Sequence, residues 1–147
     1  MTAQLHNGTR YRTSTESPTG LWPGLCITGV CIPFLLSGII KATHPAAATA
    51  EVAALGLPAA VMLAWLTVIV QLGGSAAAIW GGRRVGAFGA LSLAIFTLLA
   101  SVVAHAFWTI QSPGQTAELN VFMEHLSIFS GLLFVAWWKW TSGQVDE

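Results

Sequence analysis

Charge is what this sequence lacks most. Only 8% of its 147 residues are charged, against about 25% in an ordinary soluble domain. Hydrophobic residues make up 54%. A water-soluble fold built from this composition would have too few polar groups to cover its surface. The formal net charge of zero argues against electrostatic capture of nucleic acid. Cysteine is nearly absent too. Cys26 and Cys31 are the whole complement, and five residues along a helix turns the chain by about 140°. The two thiols therefore point to different faces and read as small packing residues, because a redox pair or metal site needs closer spacing. A cleavable leader is also missing from this reading. The first apolar stretch begins only at Leu21, after a polar Thr- and Ser-rich tail, and no convincing cleavage site follows it.

What is present is long apolar runs. Trp22 to Ile40, Pro58 to Trp80, Val85 to Trp108 and roughly Leu119 to Trp140 each reach the ~20 residues that cross a bilayer core as helix. The runs are continuous rather than alternating, which excludes barrel strands. The expected architecture is all-α: a transmembrane four-helix bundle in up-down order. Residues 1–20 form a flexible tail, 21–141 the membrane domain and 142–147 a second short tail. Five of the six basic residues (Arg10, Arg12, Arg83, Arg84 and Lys139) fall on one side of this pattern, and Lys41 alone falls on the other. Basic segments stay cytoplasmic, so both termini are expected there.

Shorter signals refine the picture. Pro33 should kink the first span. Thr43 or His44 before Pro45 starts a helix and Gly56 stops one, so a short Ala-rich helix should lie at the outer surface between spans one and two. Pro58 opens the second span. Gly81-Gly82-Arg83-Arg84 makes spans two and three antiparallel neighbours, and Ser112-Pro113-Gly114 turns span three into span four. Trp22, Trp80, Trp137, Trp138 and Trp140 fall at one set of span ends and Trp108 at the other, as interfacial tryptophans do. Gly73, Gly74, Gly82, Gly86, Ser130 and Gly131 are candidate helix-packing positions, where small residues let backbones approach.

Polar groups inside spans are costly and default to a functional reading. The candidates are Lys41, Gln71, His105, Glu124 and His125. Counting residues places Gln71 near mid-bilayer. The other four share the outer-leaflet depth, with His105 one turn from the outer end of span three. All five could converge on one pocket. Each also has a plain structural reading: Lys41 snorkels to the interface, Gln71 bridges two helices, and His105 is held by Glu124 or a backbone carbonyl. Glu124 is protonated or paired with Lys41 or His105. Glu124 and His125 point about 100° apart, so only one faces the bundle centre squarely. Three chemistries fit the cluster. The first is a quinone or aromatic-substrate pocket with His105 and Glu124 exchanging protons. The second is haem on His105 and His125. The third is a metal on His105, Glu124 and His125. Two histidines at similar depth arise readily by coincidence, and no tight spacing such as His-x-x-x-His occurs, which sets haem and metal below quinone.

Several motifs resemble the DoxX family. Phe34-Leu35-Leu36-Ser37-Gly38-Ile39-Ile40-Lys41 is similar to the end of its first span, and Leu55-Gly56-Leu57-Pro58 to its approach to span two. Gln71-Leu72-Gly73-Gly74 resembles its Glu-x-Gly-Gly core, and His105-Ala106-Phe107-Trp108 its His-Asp-Phe-Trp motif. Phe122 to Ile128 resembles its Phe-x-Lys-Asn-Leu-x-Ile start of span four. The resemblance implies a small four-helix protein of the bacterial inner membrane, in a family named for a subunit of a thiosulfate:quinone oxidoreductase. It departs at three polar positions: Gln71 replaces a Glu, Ala106 an Asp, and Glu124-His125 a Lys-Asn. Glu124 could restore from another helix the charge that is missing at Gln71. The expectation is an accessory or anchoring subunit beside a membrane redox partner, or a homo-oligomer. The alternative is a quinone-linked oxidoreductase subunit using His105, Glu124 and Lys41. A small-solute transporter is weaker, because few polar residues offer a path through the cytoplasmic half.

Overall fold

Continuous apolar sequence folds here into helices of membrane-crossing length. The computed structural model describes residues 21–111 and 113–142. The readings of the two tails, and of Ser112 in its turn, lie outside those residues. Five α-helices follow in order: α1 (Leu21–Thr43), α2 (Pro45–Ala54), α3 (Ala60–Trp80), α4 (Arg83–Ala104) and α5 (Gln115–Thr141), with one 3-10 turn at Phe107–Thr109. Among the described residues there is no strand. Four helices are long and apolar enough to cross a membrane. At 1.5 Å per residue they run from about 32 Å for α3 to about 40 Å for α5, against a hydrocarbon core of about 30 Å. The protein is an all-helical four-span membrane bundle, and its large exposed side chains, such as Leu36, Ile69, Leu99 and Phe134, face lipid.

The chain passes up and down, so Leu21, the α3–α4 turn and Thr141 share one end, called here the terminal end. The other, the α2 end, carries α2 and the α4–α5 link. In space α1 packs on α3, α3 on α4 and α4 on α5, while α1 and α5 meet only sparsely. The core joins Ile27, Cys31 and Phe34 of α1 to Ala78 of α3, Leu93 and Ala94 of α4, and Leu132 and Val135 of α5. Cys31 is buried and Cys26 exposed, which is the divergence of faces that their spacing predicts.

Local chemistry explains most boundaries. Pro33 lies inside α1, which continues through it as one helix. Pro45 occupies the first turn of α2, where its missing N–H costs nothing. Gly56, at φ +70°, donates to the Ala53 carbonyl at 2.9 Å and closes that helix. Lys41 pairs with Glu51, tying α2 to α1. At the terminal end Lys139 donates to the Gly81 carbonyl at 3.0 Å and Arg83 to the Trp140 carbonyl at 3.0 Å. These bonds clamp the α3–α4 turn to the end of α5.

Several boundaries differ from the sequence reading; α1 runs past Ile40 to Thr43, and α4 starts at Arg83 rather than Val85. The second span starts at Ala60 rather than Pro58, because Ala59 turns the chain through a left-handed conformation at φ 54°. In the third span the α-helix stops at Ala104, and the 3-10 turn Phe107–Thr109 carries the span past Trp108. Phe107 and Trp108 turn back onto Phe122, with ring centroids 5.4 and 5.9 Å from it. The fourth begins at Gln115, four residues before Leu119, since Gln115 to Glu118 are helix-compatible residues beyond the apolar run.

Candidate functional site

The five polar candidates do not converge on one pocket. Lys41 is held by Glu51 and lies against Pro45, Ala48 and Trp65, in a crevice too narrow for water. Its place at the very end of α1 lets it reach α2 instead of the bundle interior. Glu124 is exposed on α5 and makes no hydrogen bond or ion pair among the described residues. It neither pairs with His105 or Lys41 nor meets Gln71, so it does not restore a charge there. One residue of helix rotation separates Glu124 from His125, and His125 is the one turned inward.

Gln71 and His125 do share one cavity, and His105 sits beside His125 outside its lining. A cavity of about 170 Å³ lies among all four spanning helices. Pro33, Phe34 and Ser37 line it from α1, Gln71 from α3, Phe96, Thr97 and Ala100 from α4, and His125 from α5. Gln71 is 5% exposed, and its side-chain Oε1 has no hydrogen-bond partner. A buried amide left so costs about 1–3 kcal/mol unless water or a ligand meets it. Thr97 spends its hydroxyl proton on the Leu93 carbonyl at 2.7 Å. The cavity walls carry aromatic rings as well, with Phe34 and Phe96 edge to face at 6.5 Å.

The histidines lead from this cavity toward the α2 end. The His125 Nδ1 lies 2.8 Å from the Val121 carbonyl. A carbonyl only accepts, so Nδ1 carries the proton and Nε2 of the neutral ring is an open acceptor. The His105 ring sits 4.8 Å from that of His125. His105 is not inside α4 but caps it, its backbone N–H donating to the Ser101 carbonyl at 3.0 Å. Its Nδ1 is 3.0 Å from Oε2 of Glu118. Glu118 was missed in the sequence because it falls before the expected start of the fourth span. The signal available was its place one turn and a half before Glu124, on a segment able to continue that helix upward.

No three His, Cys, Asp or Glu side chains among the described residues are grouped to hold a metal ion. Glu124 faces away, so the His105, Glu124 and His125 ligand set is not assembled. The small residues divide. A Cβ at Gly74 would meet Leu93 at 2.9 Å, and one at Gly86 would meet the Lys139 side chain at 2.5 Å. Gly73, Gly82 and Gly131 have nothing within 4 Å of an added Cβ, and Ser130 is exposed, donating to its own helix at Leu126. Gly89 and Gly38 are close-approach positions that the sequence reading did not single out. A Cβ on Gly38 would lie 2.7 Å from Leu72.

No curated protein and no solved structure matches the chain. The family model of DoxX matches residues 28–106, a stretch that holds Gln71 and His105 and ends before α5. That match spans more than half of the 147 residues, and with the four-span helical fold around it the chain belongs to the DoxX family.

Proposed function

We propose that the protein is an accessory subunit of a membrane redox assembly, and that it contributes a cavity for the ring of a quinone. The observation that carries this reading is the unpartnered, buried Oε1 of Gln71 in a ring-sized space. A cavity of about 150 Å³ is enough for a benzene ring, and this one is about 170 Å³. Its lining suits such a molecule. Phe34 and Phe96 offer aromatic faces, while Gln71, Ser37 and His125 offer hydrogen-bonding groups at the rim of the ring. A quinone brings two carbonyl oxygens, which can accept from the Gln71 amide N–H; its reduced form brings two hydroxyls, which can donate to Gln71 Oε1 and to His125 Nε2. The sparse contact between α1 and α5 leaves a side through which a lipid-dissolved tail could extend.

Purification in mild detergent, followed by solvent extraction of the washed protein, tests this directly. The wild type should carry quinone at roughly one per chain, and Gln71→Leu should lose most of it. A wild-type preparation with no quinone above the detergent blank would overturn the reading.

A purely anchoring role, toward another protein or a second copy, is favoured by a different observation. The spanning part of α5 is only 11% buried, and Asn120, Glu124, Ser127 and Ser130 are exposed along it. Protein cover would relieve the cost of Glu124 in lipid. Mass spectrometry of the same preparation separates the two: a stoichiometric partner or dimer without bound quinone favours anchoring.

A further inference from the structure

We infer that Glu118, His105 and His125 form a proton path from the α2 end of the bundle into the Gln71 cavity, so that a ligand held there exchanges protons with that side of the membrane. This rests on the cavity being a ligand site, as proposed above, but on different atoms. The three side chains lie in a graded row. Glu118 is 34% exposed and His105 26%, His125 lines the cavity, and Gln71 beyond it is 5% exposed. Partial exposure at one end and near-complete burial at the other is the form expected of a path from water to a buried group.

The bonding fixes the order of transfer. His125 keeps its Nδ1 proton on the Val121 carbonyl, so a proton leaving a hydroxyl in the cavity can be taken only at Nε2. The same nitrogen must hand it on, because Nδ1 is tied to a group that cannot receive a proton. His105 is the adjacent base, and no partner is recorded among the described residues for its Nε2. When that nitrogen takes the proton, the ring can release the one on Nδ1 to Oε2 of Glu118, 3.0 Å away. Glu118 then gives it to water. One proton enters and one leaves at each step; the net charge of the row is restored once Glu118 is again a carboxylate, and reorientation of the His105 ring returns a proton to the position facing Glu118 before the next transfer.

Toward the terminal end the described residues offer no comparable route. Ser75 and Cys31 lie below Gln71, both at 0% exposure, among Leu93 and Leu132 at the same burial. The cavity does not extend to them. The groups able to influence the histidine pair are therefore few. Glu118 faces it from α5, Gln71 and Ser37 approach the cavity from α3 and α1 without titrating, and Lys41 is occupied by Glu51.

Nitrogen NMR of ¹⁵N-histidine protein in micelles tests the path. At one fixed pH, Glu118→Gln should change the Nδ1 and Nε2 shifts of both His105 and His125, although it touches only His105. Added decylubiquinone should shift His125 in both proteins, because Glu118 is outside the cavity lining. A Glu118→Gln response confined to His105, with decylubiquinone still shifting His125, overturns the path and leaves the cavity standing. A response of both rings to Glu118→Gln with none to decylubiquinone keeps the path and overturns the quinone assignment.

Discussion

A Cβ on Gly89 would lie 2.6 Å from the Ala77 Cβ and 2.8 Å from both the Ala78 nitrogen and the Gly74 carbonyl. Two of those three neighbours are backbone, so relief requires α3 and α4 to separate. Gly89→Ala should cost about 1–3 kcal/mol, the usual range for overpacking a fitted core. Gly73→Ala, with open space around it, should change stability by less than about 0.5 kcal/mol. The midpoint of SDS-induced unfolding in mixed micelles measures both, and equal effects would mean that the α3–α4 contact is not this close. The contrast also marks what a sequence conveys at this scale. Residue counting gives depth along a helix but not direction around it. It therefore sets Gln71, His105 and His125 at usable depths and groups Glu124 and Lys41 with them, although these two face elsewhere. Gly73 and Gly74 look equivalent in sequence, yet only the second meets a neighbour.

Elements end where local packing overrides hydropathy. The apolar run continues from α4 into Ala106-Phe107-Trp108, which is why a helix through Trp108 was expected. Instead Phe107, Trp108 and Phe122 cluster, and aromatic pairs of this kind contribute about 0.5–1.5 kcal/mol each. That cluster releases His105 from the helix and turns it toward Glu118. Phe122→Ala should loosen the link, raising amide hydrogen exchange at residues 105–110 at least tenfold while leaving α1 and α3 unchanged. Uniform acceleration across all helices would show instead that Phe122 supports the whole bundle. The boundaries of α1 and α2 were legible because Pro45 and Gly56 are strong local signals. The starts of α3 and α5 are not, since Ala59 in a left-handed conformation and four helical residues beyond an apolar run leave no trace in hydropathy, whereas their ends fall at or beside the expected Trp80 and Trp140.

At the scale of the whole molecule, everything follows from four helices crossing lipid in alternating directions. The cavity lies inside that bundle, and the histidine row joins it to the end that carries α2. Exposed apolar side chains around the circumference are stable only in hydrocarbon, and the interior is correspondingly small. Alternation also sorts the connections: α2 and the α4–α5 link belong to one side, and the α3–α4 turn and Ser142 to the other. Impermeant thiol labelling of intact cells tests this most directly, with Cys26 and Cys31 replaced by alanine and single cysteines placed at Ala54, Gly82 or Ser142. The account predicts that Gly82→Cys and Ser142→Cys behave alike and opposite to Ala54→Cys. Labelling of Ala54→Cys and Gly82→Cys from the same side would contradict it.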